Sequence, residues 1–290
     1  MADSTAPRSM PANAVAQAAE FTRRHPTIFV GGLLVALITL AALFAPWIAN
    51  DPIAFEPINR LRRPSAQFWL GTDSLGRDVF ARMVYGGRVS LVVGLLVAMI
   101  AVITGSVVGL LAGYFERVDA VVMRLMDGIM AIPAILLAIA LVALMGSSVT
   151  VVIVAISIPE IPRVTRLVRS VVLSVRALPF VEAARSNGTR TPKLLRRHIL
   201  PSTVAPLIVQ ATFICASAIL TEAGLSFLGA GTPPENPTWG NMIASSRLYL
   251  QVAPWTIFAP GICLALVVLS VNLLGDGLRD RLDPRISRSM

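Results

Sequence analysis

The segment VEAARSNGTRTPKLLRRHILPS, residues 181–202, is polar and strongly basic and stands between two long apolar runs at 149–161 and 205–228. Its first part favours a short helix through Glu182, Ala183, Ala184 and Arg185, and Gly188 supplies the break that follows. A second helical piece is expected through Lys193, Leu194 and Leu195, before Pro201 restricts the chain again. The alternation of apolar run, basic hinge and apolar run predicts an all-α chain that is embedded in a membrane and offers this hinge to water.

Composition supports that solvent assignment. A hydrophobic share of 55% and a charged share of 14% leave far more apolar surface than a soluble fold can bury, and the mean hydropathy is +0.74. A helix needs about 20 apolar residues to cross a ~30 Å hydrocarbon core, and about six runs qualify as candidates. They are 28–48, 90–111, 128–145, 149–161, 205–228 and 254–274. The fourth is short and carries Pro159 and Glu160 near its end, and the third contains Pro133, which neighbouring helices in a membrane can tolerate. The first exceeds the ~7–15 residues of a signal-peptide core, so it reads as a retained helix. The chain thus divides into an N-terminal tail (1–27, rich in Ala, Ser and Pro and expected to be mobile), a transmembrane domain (28–275) and a C-terminal tail (276–290).

The formal net charge of +9 follows topology rather than one folded face, which argues against nucleic acid as a partner and for the lipid bilayer. Arg163, Arg166, Arg169, Arg176, Arg185, Arg190, Lys193, Arg196 and Arg197 follow the fourth run, and Arg279, Arg281, Arg285 and Arg288 lie in the tail. The positive-inside rule therefore puts the 164–204 loop and both termini in the cytoplasm. The loop at 49–89 is then external, although it holds six arginines of its own, from Arg60 to Arg88. Trp47, Trp69, Trp239 and Trp255 all fall at the outer side.

The basic segment resembles the EAA loop of permease subunits of bacterial ATP-binding-cassette importers. The matching positions are Glu182, Ala183, Ala184, Gly188, Leu200 and Pro201; the isoleucine usual two residues before the leucine is replaced by His198, with Ile199 after it, as in the peptide-importer branch. The external stretch FWLGTDSLGRDVFARMVYGGRVSL, residues 68–91, is similar to the peptide and nickel branch at Gly71, Thr72, Asp73, Gly76, Arg77 and Asp78. Physically, the two glycines permit turns, and Asp73, Arg77 and Asp78 are placed for an ionic network that either shapes the outer mouth or is purely structural. A third stretch, TEAGLSFLGAGTPPENPTWGNMI at 221–243, also matches. In it Glu222 falls late in the fifth run, where a charge costs ~2.5–3.5 kcal/mol at the hydrocarbon centre and so must face protein, the interface or a translocation path.

The resemblance implies a type I importer permease fold, of the dipeptide and oligopeptide permease C kind, in the bacterial inner membrane. It implies a second permease subunit, two ATPase subunits that bind ATP and magnesium, and an extracytoplasmic substrate-binding protein. The EAA-like loop would be a coupling helix seated in a groove of an ATPase. Substrates implied are di- or oligopeptides, with nickel or glutathione as alternatives within the family. From other classes, an ion-gradient-driven transporter would have to use Glu222, Glu160 or Asp127, and a membrane scaffold would use the basic loop for docking.

The residues themselves exclude several chemistries. Lys193, the sole lysine, follows Pro192, so no phosphate-binding Gly-Lys-Ser/Thr loop exists and the chain is not expected to hydrolyse ATP or act as an enzyme. His25 and His198 stand far apart, outside any zinc-protease pattern, and no histidine follows Ser226 to complete a serine protease. Cys215 and Cys263 lie within apolar runs and read as packing residues, not as a disulfide or metal site.

Overall fold

The computed structural model describes residues 26–282; the expectations for residues 1–25 and for Arg285 and Arg288 lie outside it. Its principal helices are α1 (Pro26–Leu43), α2 (Val79–Tyr114), α3 (Glu116–Met130), α4 (Ala134–Met145), α5 (Val149–Arg176), α6 (Pro179–Ser186), α7 (Leu200–Phe227), α8 (Trp239–Ser246) and α9 (Trp255–Leu282). No β-strand occurs among the described residues; a single bridge joins Thr72 and Asp78.

Helix α2 is the central post, packed on α1, α5 and α7. Its close approach to α5 comes from a stripe of glycines at helical spacing. A Cβ at Gly105, Gly109 or Gly113 would lie 2.5, 2.8 or 2.6 Å from the Cβ of Val164, Val168 or Val172. Backbones that approach this closely gain van der Waals contact along their whole length, which is what drives helix association where lipid removes the hydrophobic term. Gly94 does the same toward Ile219 of α7, and Gly31 of α1 toward the α9 backbone at Ser270. Outward-facing Leu33, Leu37 and Leu40 of α1 stay exposed, as a lipid solvent permits.

Four helical runs are long and apolar enough to cross a membrane: α1, α2, the run Thr191–Phe227 that includes α7, and α9. The pair α3 and α4 would make a fifth. The expected about six crossings stand as an approximation, with two differences of detail.

The third run does not form one helix through Pro133. It breaks at 131–133 and α3 is bent by 86° from α4. Pro133 caps the start of α4, because it has no N–H to continue α3 and holds Ile132 out of helical geometry. At 12 residues, α4 is only about 18 Å long, short of a full crossing.

The fourth run does the opposite. It continues through Pro159 and Pro162 as far as Arg176, although each internal proline costs about 3 kcal/mol in isolation. The contact of Val164, Val168 and Val172 with the glycine stripe of α2 outweighs that cost. Residues 164–176 are therefore helix rather than loop.

Two boundaries also shift. Helix α2 begins at Val79, not at Ser90, because the Asp78 side chain caps it by accepting from Phe80 N. Helix α9 runs on to Leu282, so the start of the expected C-terminal tail is helical.

Candidate functional site

The EAA-like segment folds as a short amphipathic helix, α6, with designed ends. Pro179 sits at its first position, where a missing N–H is harmless. Glu182 lies in the first turn and Arg185 in the last, each matched to the helix dipole. The far end is a Schellman closure: Gly188 N donates to Arg185 O at 3.0 Å and Thr189 N to Ala184 O at 3.1 Å, with Gly188 at φ +75°. That conformation is why a glycine stands there, since no neighbouring atom lies within 4 Å of its would-be Cβ.

The two faces of α6 differ. Val181 is buried and Ala184 packs on the core, whereas Glu182, Ala183, Arg185 and Gly188 are exposed. Leu194 and Ile199, 1% and 0% exposed, anchor the following chain. A π-helical turn at Leu195–Ile199 then leads into α7. The widened turn precedes Pro201, whose ring would otherwise meet the carbonyl one turn back. Leu200 and Pro201 thus form the first turn of α7, which connects the α6 region covalently to a full crossing.

Beside α6 lies a cleft of about 960 Å³, bounded by Tyr114, Phe115, Arg176, Glu182, Arg185 and Thr191. Arg176 ties its walls together by donating to Gly113 O at 3.0 Å, which caps the end of α2. Two further ion pairs, Asp119 with Arg169 and Asp127 with Arg166, fix α3 across α5. Position 182 is thus mounted on the corner where α2, α3, α5 and α6 meet.

At the opposite end of the bundle, the stretch matching 71–78 forms a closed knot. Asp73 Oδ1 accepts from Leu75 N at 2.8 Å and Arg77 N at 3.0 Å, and Asp73 Oδ2 accepts from Arg77 Nε at 2.7 Å. Arg82 approaches the same carboxylate at 3.8 Å. Thr72 Oγ1 donates to Asn59 O and accepts from Arg62 N, and Trp255 Nε1 donates to Thr72 O at 3.3 Å. Gly71 and Gly76 have φ of +71° and +77°, and a Cβ on Gly76 would overlap Glu56 O. Burial pushes the Asp78 carboxyl above the usual carboxylate range, against the lowering effect of its hydrogen bonds from Phe80, Ala81 and Asn50. Of the expected ionic network, Asp73 and Arg77 are paired and Arg82 joins them, whereas Asp78 makes no ion pair among the described residues and caps α2 instead.

Glu222 is fully buried. Its Oε1 accepts from Ser226 at 2.8 Å, Thr238 at 3.0 Å and Thr232 at 3.3 Å, while Oε2 has no partner. It pins the irregular loop 229–238 onto α7. Glu160 pairs with Arg163 at 2.9 Å. The glycine stripe has a readable sequence signal in the spacing of four between Gly105, Gly109 and Gly113, whereas nothing local to Ser226, Thr232 and Thr238 marks them as partners of Glu222.

Residues 101–288 match the family model described as binding-protein-dependent transport system inner membrane component. The chain belongs to this family. A second match, over residues 18–64, is to the N-terminal transmembrane domain of oligopeptide transport permease C. Among curated relatives of the permease, the probable peptide ABC transporter permease protein y4tQ of Sinorhizobium fredii is 60% identical over 92% of this chain and 91% of its own. The dipeptide transport system permease protein DppC of Alkalihalophilus pseudofirmus is 44% identical over 91% and 88%. The glutathione transport system permease protein GsiD of Pectobacterium atrosepticum is 42% identical over 92% and 89%. Among solved structures, an inward-facing MetNI methionine ABC transporter aligns with a TM-score of 0.57 at 18% identity, covering 72% of this chain and 96% of that one. That likeness bears on the fold alone. The permease is accordingly a multi-pass helical membrane protein, and the family and fold expected from the three motifs hold.

Proposed function

We propose that this permease is one of two permease subunits of a binding-protein-dependent importer for short peptides in the bacterial inner membrane, with both termini and α6 on the cytoplasmic side. The observation that carries the reading is α6 itself: a capped helix with Glu182 and Ala183 exposed on one face and Val181 and Ala184 held in the core on the other. Of two ATPase subunits, which bind ATP and magnesium, one docks there. Small Ala183 admits close approach, and Glu182 supplies a charge at the rim of the cleft.

Movement has a defined route from that face. Leu194 and Ile199 are buried, so a displacement of α6 is passed into α7 instead of being absorbed by a slack loop. Arg176 passes the same displacement to the end of α2. Helices α2 and α7 together reach the opposite end of the bundle, where an external binding protein delivers substrate. Such coupling needs two packed arrangements that both sites bias, and rigid, closely packed helices are suited to it.

The 60% identity to a peptide permease favours peptides over glutathione, the cargo named for a relative at 42%. An ion-coupled mechanism has little to work with: Asp127 and Glu160 are each engaged by an arginine of α5, and Glu222 by three hydroxyls. The reading is tested by reconstituting the permease with its partner subunits and binding protein in vesicles without an ion gradient. ATP-dependent accumulation of a labelled dipeptide is expected; accumulation that needs a proton or sodium gradient and ignores ATP overturns it.

A further inference from the structure

A cavity of about 760 Å³ opens at the end of the bundle opposite α6, between the start of α2, the end of α7, α8 and the turn joining α4 to α5. Its volume falls in the range of small-ligand sites. Three guanidinium groups line it, Arg77, Arg82 and Arg247, against one carboxylate, Glu235. Ser226, Thr232 and Asn241 add neutral polar atoms.

The arginines are not used up by the fold. Arg77 spends its Nε on Asp73, and neither of its terminal nitrogens has a hydrogen-bond partner among the described residues. Arg82 spends Nη1 on Pro52 O at 3.3 Å and approaches Asp73 through Nε. Arg247 is exposed and lies over the Phe227 ring at 5.8 Å, with no acidic partner among the described residues. Planar guanidiniums with free N–H pairs are suited to bidentate recognition of a carboxylate. The wall is also preorganised, because Glu222 holds Ser226 and Thr232 in place and Pro233 and Pro234 stiffen the loop beyond them.

We infer that this cavity is a receiving site for the incoming peptide, in which Arg247 and Arg77 hold the terminal carboxylate and Glu235 accepts from the terminal ammonium. The inference rests on the importer reading above, which puts this end of the bundle on the side where substrate arrives. A zwitterion carries one charge of each sign at its two ends, and this wall offers groups of both signs.

The test compares ATP-driven uptake of alanylalanine with that of its C-terminal amide, by the complete importer in vesicles, for the wild type, Arg247→Gln and Arg247→Lys. The binding protein is the same in all three, so its own preference cancels when the acid-to-amide ratio is compared between variants. Arg247 makes no ion pair that the fold needs, so the variants should assemble. The expected result is a fall of roughly tenfold in that ratio for Arg247→Gln, the scale of about 1.4 kcal/mol, with only part of it restored by Arg247→Lys, which keeps the charge but not the planar fork. Where the amide is delivered too poorly to count, the ratio is read from photocrosslinking of each peptide to a benzophenone side chain at position 245, without binding protein. An unchanged ratio in Arg247→Gln overturns the site while leaving the importer intact. No ATP-dependent uptake of either peptide by the wild type removes the importer reading and the site with it.

Discussion

Gly105 of α2 lies directly against Val164 of α5, so closely that a Cβ on the glycine would stand 2.5 Å from the Cβ of the valine. The same relation repeats one and two turns on, at Gly109 and Gly113. Replacing Gly105 with leucine should force the helices apart and cost at least the ~1–3 kcal/mol typical of an overpacked core. Gly128, with nothing within 4 Å of its would-be Cβ, is the control. Gly128→Ala should be neutral or stabilise by up to ~1 kcal/mol. Thermal unfolding of both variants in detergent, beside the wild type, checks the pair.

A second prediction concerns the knot around Asp73. Its carboxylate is largely buried and is shared between Arg77 and Arg82. Removing one partner of a buried pair leaves a charge uncompensated, at a cost of about 3–5 kcal/mol. Asp73→Asn should therefore lower the melting temperature and expose the loop preceding α2 to protease, whereas the same change at the exposed Asp51 should do neither. Equal protease resistance in the two variants would show that the knot contributes no stability.

Glu222 offers a separation of roles. If its task is to accept hydrogen bonds from Ser226, Thr232 and Thr238, glutamine can take over, because an amide oxygen also accepts. Glu222→Gln should keep near-normal stability and uptake, and Glu222→Leu should lose about 2–4 kcal/mol by stranding buried hydroxyls. A glutamine variant that is stable but transports nothing would assign the charge itself to the path.

How much of this was legible in the sequence depends on the kind of signal. Turn and cap chemistry is local, so the helix around Glu182, the break at Gly188 and the turns at Gly71 and Gly76 could all be read from the chain, and each glycine adopts positive φ. Helix continuity is not local. Pro133 and Pro159 carry the same intrinsic penalty, yet the chain breaks at one and runs through the other. The difference lies in a partner: beyond Pro159 the helix continues along the glycine stripe of α2, while before Pro133 α3 is pinned across α5 by Asp119 and Asp127. Arg82 and Arg247 carry no local signal of a shared site for a similar reason, since their cavity is assembled from segments far apart in sequence.

The orientation is open to chemical labelling. Single cysteines at Ser186 and Ser65, in a background lacking Cys215 and Cys263, should differ toward an impermeant thiol reagent applied outside the cell. Labelling at position 65 and none at position 186 is expected; the reverse would invert the topology.

On the proposed function, the exposed face of α6 receives one ATPase subunit. Ala183→Trp places a bulky ring on that face without touching the core, so the isolated permease should unfold within about 1 kcal/mol of the wild type, as exposed substitutions usually do. The direct measurement is copurification of the ATPase subunits with this variant, together with ATP-driven dipeptide uptake in vesicles. A loss of at least roughly tenfold in both is predicted, on the scale of a blocked interface anchor; normal copurification and normal uptake would contradict the account and return α6 to an ordinary surface helix.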